Sequence, residues 1–195
     1  MAQSSKNNET IEEKQLNFDS IVKNLKTYTI VASQYASERP LSAIAIQPSS
    51  KMFATSSWSG EINLFSLPES KACMTLKGHI QRACSIDWHP DSGQSITGID
   101  LCSASTDGSI FLYSTSQETP VSQLVGHDLR VACVKFHPNG KIMGTASHDC
   151  TWRLFDLETQ VELCLQENTE KIHALAFHPD GSLVATGYLF NLFLF

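Results

Sequence analysis

Residues 137–156 read HPNGKIMGTASHDCTWRLFD, and how this stretch is read decides the fold. Two histidines, a serine and an aspartate in so short a span are the ingredients of a nucleophilic triad or a small metal site. The neighbouring sequence argues against both. The aromatic-His-Pro core of VKFHPNG (Val134–Gly140) returns in IDWHPDSG (Ile86–Gly93) and LAFHPDG (Leu175–Gly181), with a weaker copy, IAIQPSS, at Ile44–Ser50. The prolines at 48, 90, 138 and 179 stand 42, 48 and 41 residues apart, the long interval being explained by an insert, SGQSITGI, after Asp91. Without it the period matches the ~40–45 residues of a propeller blade.

Each unit reads as short strands of alternating polarity separated by turn residues. In the third unit VACVKF, IMGTAS, TWRLFDL and the segment around Val161–Leu165 are the four strands, and Asp149 lies in the second turn. The second unit runs through ACSIDW, LCSAS, the turn TDG, IFLYS and VSQLV. The expected architecture is all-β: a partial propeller of about three and a half four-stranded antiparallel blades. Its expected bounds are 39–79, 80–127, 128–169 and a truncated 170–195. Upstream, Phe18, Ile21, Val22 and Leu25 have the spacing of one apolar helix face, so 1–26 reads as a polar tail, disordered over 1–10, followed by a short amphipathic helix. YTIVASQY, within 27–37, aligns with fourth-strand positions and reads as a strand that fastens a ring. At the other end YLFNLFLF puts large apolar residues where turn and polar positions belong, so the ending reads as interrupted or aberrant. A chain of this kind is expected to aggregate or to hold a monomer poorly.

Gly78-His79 and Gly126-His127 each precede the next His-Pro by ten residues from His to His, and the turns STDG (105–108) and SHD (147–149) lead to Tyr113 and to Phe155-Asp156. In these residues the chain resembles the WD-repeat family over about residues 28–190. The resemblance implies structural hydrogen-bond tetrads: His79, Ser105, Asp107 and Tyr113 in one blade, His127, Ser147, Asp149 and Phe155 in the next. Phe155 has no N–H to donate, so the second tetrad is expected to end at Ser147. A set repeated at equivalent positions argues for a fold element, since catalysis requires one set made unique by a cleft. His89, His137 and His178 read as a repeated turn feature, because blade symmetry spreads them around a ring and away from any common metal. No catalytic, cofactor or metal residue is assigned.

Net charge is −6, and residues 41–195 carry nine basic against fifteen acidic side chains. Such a body is a poor non-specific binder of nucleic acid. The six cysteines never approach Cys-x-x-Cys spacing and read as free, mostly buried thiols. The N-terminus lacks a signal-peptide pattern, and no apolar run approaches ~18 residues. Seven residues before the His of each His-Pro stand Arg82, Arg130 and Lys171, with Arg39 one position early in the first unit. Trp58, Thr106 and His148 precede the turns on the same side. These six residues are the candidate partner-binding set, with Trp58 as an interface anchor. Solvated loops, or arginines bridging to a neighbouring blade, are the alternative reading of the basic ones.

Val22–Lys71 and Gly126–Gln160, with SWSG, the Arg-Val-Ala run and TWRLFDLE, are similar to one branch of the family. That branch is the pre-mRNA-processing factor four family, the WD-repeat subunits of the U4/U6 small nuclear ribonucleoprotein. The resemblance implies a nuclear, non-enzymatic scaffold for pre-mRNA splicing. Its implied partner is another snRNP protein, of the pre-mRNA-processing factor three kind, with U4/U6 RNA contacted mostly indirectly. Neither a membrane nor a small-molecule substrate is expected. A generic WD-repeat adaptor, such as a ubiquitin-ligase substrate receptor or signalling scaffold, stays open as the alternative.

Overall fold

A computed structural model describes residues 18–30, 32–95, 97–188 and 192–194, the last three by backbone alone. The chain divides into Met1–Ser33 and Gln34–Phe195. Among the described residues of the first unit a helix, α1, covers residues 18–25, and Phe18, Ile21 and Leu25 on it are exposed. The disordered tail expected over 1–10 lies outside the described residues. The described residues of YTIVASQY form no strand, which corrects the fastening-strand expectation. Outside a ladder, an alternating segment has no partner for its N–H and C=O groups, and propensity alone does not hold it extended.

The second unit is all-β, with four antiparallel sheets among the described residues. The first sheet holds β1 (Leu41–Ile46), β2 (Met52–Ser57), β3 (Ile62–Ser66) and β4 (Ala72–Leu76) in sequence order. The second repeats the meander with β5 (Ala83–Trp88), β6 (Leu101–Ser105), β7 (Ile110–Tyr113) and β8 (Ser122–Leu124). The third holds β9 (Val131–Phe136), β10 (Ile142–Ser147), β11 (Thr151–Asp156) and β12 (Glu162–Glu167). The fourth holds β13 (Ile172–Phe177), β14 (Val184–Tyr188) and β15 (Leu192–Leu194). The sheets form an open partial propeller. The terminal apolar run, expected to lack a place in its blade, supplies β15, whose Leu192, Phe193 and Leu194 pair with Gly187, Thr186 and Ala185.

A four-stranded sheet has two faces to bury, and the described residues of this unit contain no helix, so neighbouring sheets cover one another. Leu64 and Leu76 of the first sheet pack with Ile86, Leu101 and Tyr113 of the second. Leu112 and Leu124 of the second pack with Val134, Met143 and Phe155 of the third. Ala146 and Trp152 of the third pack with Ile172 and Leu175 of the fourth. In β6 all five residues are buried, since one side-chain parity meets the preceding sheet and the other the following one.

Polar contacts fasten the same junctions. His89 accepts the Asp91 N–H at Nδ1 (3.0 Å), which leaves its Nε2–H to donate to the Gly140 carbonyl of the next sheet at 2.7 Å. His137 repeats the arrangement, taking the Asn139 N–H and giving to the Gly181 carbonyl at 2.9 Å. Asp87 accepts from the Phe136 N–H at 2.9 Å and pairs with Lys135 at 2.7 Å. Two of the three pre-proline histidines, His89 and His137, read from sequence as a turn feature, are thus also latches between blades. The insert is tied down by Asp100, which accepts from the N–H groups of Gly93 and Thr115, each at 2.6 Å. Burial raises the Asp100 carboxyl, but these hydrogen bonds outweigh it and the net shift is downward.

Replacing His137 with Ala removes the donor to Gly181. Urea denaturation is expected to show a loss of about 1–3 kcal/mol, the penalty for an orphaned buried group. The His178 side chain is 54% exposed and among the described residues meets Asp180 alone. His178→Ala should therefore leave the urea midpoint in place, and equal losses at the two positions would refute the latch.

Candidate functional site

The imidazole that follows each glycine enters the junction with the preceding blade, close to the buried second strand of its own sheet. His127 Nδ1–H donates to Asp149 Oδ2 at 2.7 Å, and its Nε2 lies 2.8 Å from Thr145 Oγ1. Thr151 Oγ1 donates to Asp149 Oδ1 at 2.6 Å and approaches His127 Nδ1 at 3.2 Å. In the second sheet His79 Nε2 meets Ser103 Oγ at 2.6 Å and Nδ1 meets Ser109 Oγ at 2.9 Å. Asp107 does not reach the ring directly: it accepts from the Ser109 N–H at 2.9 Å and acts through that residue.

The expected hydroxyls, Ser105 and Ser147, are therefore displaced by two residues, to Ser103 and Thr145. The side-chain parity is the same, but Ser105 and Ser147 end their strands at the turn, beyond reach of the ring. Ser147 Oγ instead donates to the Arg130 carbonyl at 3.0 Å and accepts from the Asp149 N–H at 3.2 Å. Ser105 Oγ is buried without a hydrogen-bond partner of good geometry. Phe155 also falls outside its expected set, because it fills the cluster between the second and third sheets. Tyr113 lies near Ser103 but receives no hydrogen bond of good geometry; burial pushes its phenol up to about 12, with Ser103 pulling weakly the other way. The strand-c residue beside His79 is Phe111, with ring centroids 4.7 Å apart.

The fourth blade carries a substitute that the repeat motif did not reveal. Asn168 stands three residues before Lys171, the offset of His79 from Arg82 and of His127 from Arg130. Its side-chain amide donates to the Tyr188 hydroxyl, which lies 3.1 Å from Thr186 Oγ1. Counting back from the basic residue would have found Asn168. The turn below it differs too. Gly108 has φ +87, and a Cβ there would stand 2.5 Å from the His127 carbonyl oxygen, so glycine is required. Cys150 holds the equivalent place at φ 68, against the Asn168 segment.

The candidate partner-binding residues converge on the rim opposite the latches. The N–H groups of Trp58, Thr106 and His148 donate to the carbonyls of Pro40, Arg82 and Arg130 at 3.0, 3.0 and 2.9 Å, the same bond in three blades. The Arg82 guanidinium lies 4.4 Å from the ring centroid of Trp58. His148 meets His173, which the sequence reading missed, with 3.3 Å between ring nitrogens. His173 occupies the irregularity between Ile172 and Ala174, a bulge found at the start of the first strand in every sheet. Arg82, Arg130 and Lys171 are exposed, and Thr106 and His148 are half-buried.

Among the described residues no group of three or more His, Cys, Asp or Glu is placed to hold a metal ion, and no helix is long and apolar enough to cross a membrane. The six thiols are free, but only Cys102 is fully buried, which corrects the mostly buried expectation.

Three spans, residues 70–114, 118–156 and 160–189, match the WD domain, G-beta repeat family. They make up more than half of the chain, and it belongs to that family. Each span runs from the fourth strand of one sheet into the third or second strand of the next, so the sequence repeat straddles the junction. Among curated relatives, U4/U6 small nuclear ribonucleoprotein PRP4 of Saccharomyces cerevisiae is 36% identical over 143 residues, covering 71% of this chain and 30% of its own length. U4/U6 small nuclear ribonucleoprotein Prp4 of Bos taurus is 39% identical over 83 residues, 43% of this chain and 16% of its own. The Homo sapiens protein of that name is 39% identical over 74 residues, 38% of this chain and 14% of its own. The matched region is thus under a third of the length of these relatives.

Two measurements test the networks. Thr145→Val keeps the shape and leaves His127 Nε2 unpaired, so a loss of about 1–3 kcal/mol is expected by urea denaturation, against a smaller effect for Ser147→Ala. Burial pushes His79 down to about 4, with Asp107 pulling weakly upward, and burial likewise lowers His127 against its Asp149 partner. Between pH 6.5 and about 4 the unfolded chain therefore binds a proton that folded His79 does not. Stability should fall as pH falls through that window, by at most about 3 kcal/mol from His79. His79→Gln should flatten the pH profile of stability, and parallel profiles would contradict the assignment.

Proposed function

We propose that this chain acts as a non-catalytic protein-interaction scaffold in the U4/U6 small nuclear ribonucleoprotein, and in the tri-snRNP that contains it, in nuclear pre-mRNA splicing. The observation that carries this reading is the 36% identity to yeast PRP4 over 143 residues. A scaffold role fits the chemistry. Both ring nitrogens of His79 and His127 are engaged by structural partners, which leaves neither imidazole free to act as a general base. The direct partner is another snRNP protein, of the pre-mRNA-processing factor three kind. A net charge of −6 favours reaching the U4/U6 RNA mostly through that protein. Neither a membrane nor a small-molecule substrate enters the role.

The test is immunoprecipitation of the epitope-tagged chain from cells, followed by probing for small nuclear RNAs. Enrichment of U4 and U6 over U1 is expected. A soluble, tagged chain that enriches neither would overturn the reading in favour of a general WD-repeat adaptor.

A further inference from the structure

The rim that carries the Trp58, Thr106 and His148 turns crosses all three blade junctions. At the first, Trp58 is 46% exposed and Arg82 of the next blade covers one face of its ring. Around the second, Arg82 and Arg130 both act on the Cys84 thiol: burial pushes it up, and the two guanidiniums pull it back. At the third, the bulge carries His173 against His148, with ring centroids 4.5 Å apart. Burial, then His173, Arg130 and Lys171, lower the pKa of His148, so these groups share one positive field. Among the described residues Arg82, Arg130 and Lys171 form no ion pair, whereas Lys135 and Arg153, on the blades, are bound to Asp87 and Glu162 at 2.7 Å. Cations left unpaired at the same place in three successive blades of an acidic protein are poised for an anion.

We propose that this rim docks an acidic peptide segment, whose carboxylates meet Arg82, Arg130 and Lys171 while an apolar side chain seats against Trp58. The proposal rests on the reading of the chain as a protein-interaction scaffold and names the chemistry of the partner. Arginine pairs with carboxylates through two parallel N–H donors, and a large aromatic beside it supplies the anchor. Apolar Ile80 and Leu129 stand exposed in the same loops, giving a peptide side chains to cover between its charges. A peptide suits the rim better than an RNA strand. Asp107 and Asp128 are exposed on the same turns, where they repel a continuous polyphosphate but tolerate spaced carboxylates. One exposed tryptophan also falls short of the row of stacking platforms that single-stranded RNA uses. A cation ligand is disfavoured because Arg130 and Lys171 flank the His148–His173 pair.

The experiment selects binders from a displayed library of random dodecapeptides on the purified full chain. It is followed by fluorescence-anisotropy titration with the best recovered peptide and, in parallel, with a twelve-nucleotide oligouridylate RNA. Enrichment in Asp and Glu with apolar residues between them is expected. The doubly reversed variant Arg82→Glu, Arg130→Glu should weaken the recovered peptide about ten-fold or more, as loss of charge-assisted hydrogen bonds implies. Lys171→Glu serves as a second variant at a separate junction, and unchanged melting midpoints confirm that the variants fold. Recovered peptides without acidic excess overturn the proposal, as does affinity untouched by these reversals. RNA binding that is lost in the variants, with no peptide recovered, assigns the rim to RNA instead. The purified chain reads the rim directly, so this outcome is independent of whether U4 and U6 RNA co-precipitate.

Discussion

A four-stranded meander of this size has two apolar faces and no means of burying either by itself, and the rest of the molecule follows from that constraint. It makes the junction between blades, not the blade, the unit of cohesion. Every apolar cluster here has members from two successive sheets. The latches do the same in polar terms: His89 belongs to one sheet and the Gly140 carbonyl it serves belongs to the next. The aligned repeat behaves likewise, since each matched span begins on the fourth strand of one sheet and ends within its successor.

The buried imidazole networks solve a second problem created by the same packing. Strand b of the second and third sheets is enclosed on both faces, so the hydroxyls of Ser103 and Thr145 find their partners inside the protein, while Ser105 Oγ stays without one of good geometry. Three blades satisfy this with three chemistries at one position. His127 links Thr145 to the Asp149 carboxylate, His79 links Ser103 to Ser109, and Asn168 donates to the Tyr188 hydroxyl, which in turn meets Thr186. Histidine bridges at both ring nitrogens, whereas asparagine donates from its amide to a hydroxyl that extends the network. Where histidine is absent, the tight turn beside it also relaxes, from Gly108 to Cys150 at φ 68.

The repeat period and the strand order were legible in the sequence because both rest on local patterns, proline spacing and polarity alternation. What escaped was anything set by distance along a strand or by pairing across blades. Ser103 and Ser105 share a face, and only the reach of the His79 ring separates them. Phe155 looked like the strand-c member of a tetrad, yet it fills a core cluster whose other half comes from the second sheet. YTIVASQY carries a strand's alternation, but alternation names a face and not a partner. His173 was invisible for a related reason: the bulge that turns it toward His148 is a property of the ladder.

These constraints also divide the labour between the two rims. On one, the pre-proline histidines His89 and His137 are committed to carbonyls of the next blade. On the other, the backbone of Trp58, Thr106 and His148 carries the repeated structural hydrogen bond, while the Trp58 ring lies under Arg82 and the His148 ring meets His173. The bulge sets Cys84 and His173 outside the ladder as the extra residue. Side chains at those positions vary from blade to blade, as tryptophan, threonine and histidine, while the backbone bond beneath them repeats unchanged. A rim built this way varies its side chains above a constant backbone bond, and among the described residues Arg82, Arg130 and Lys171 on that rim form no ion pair.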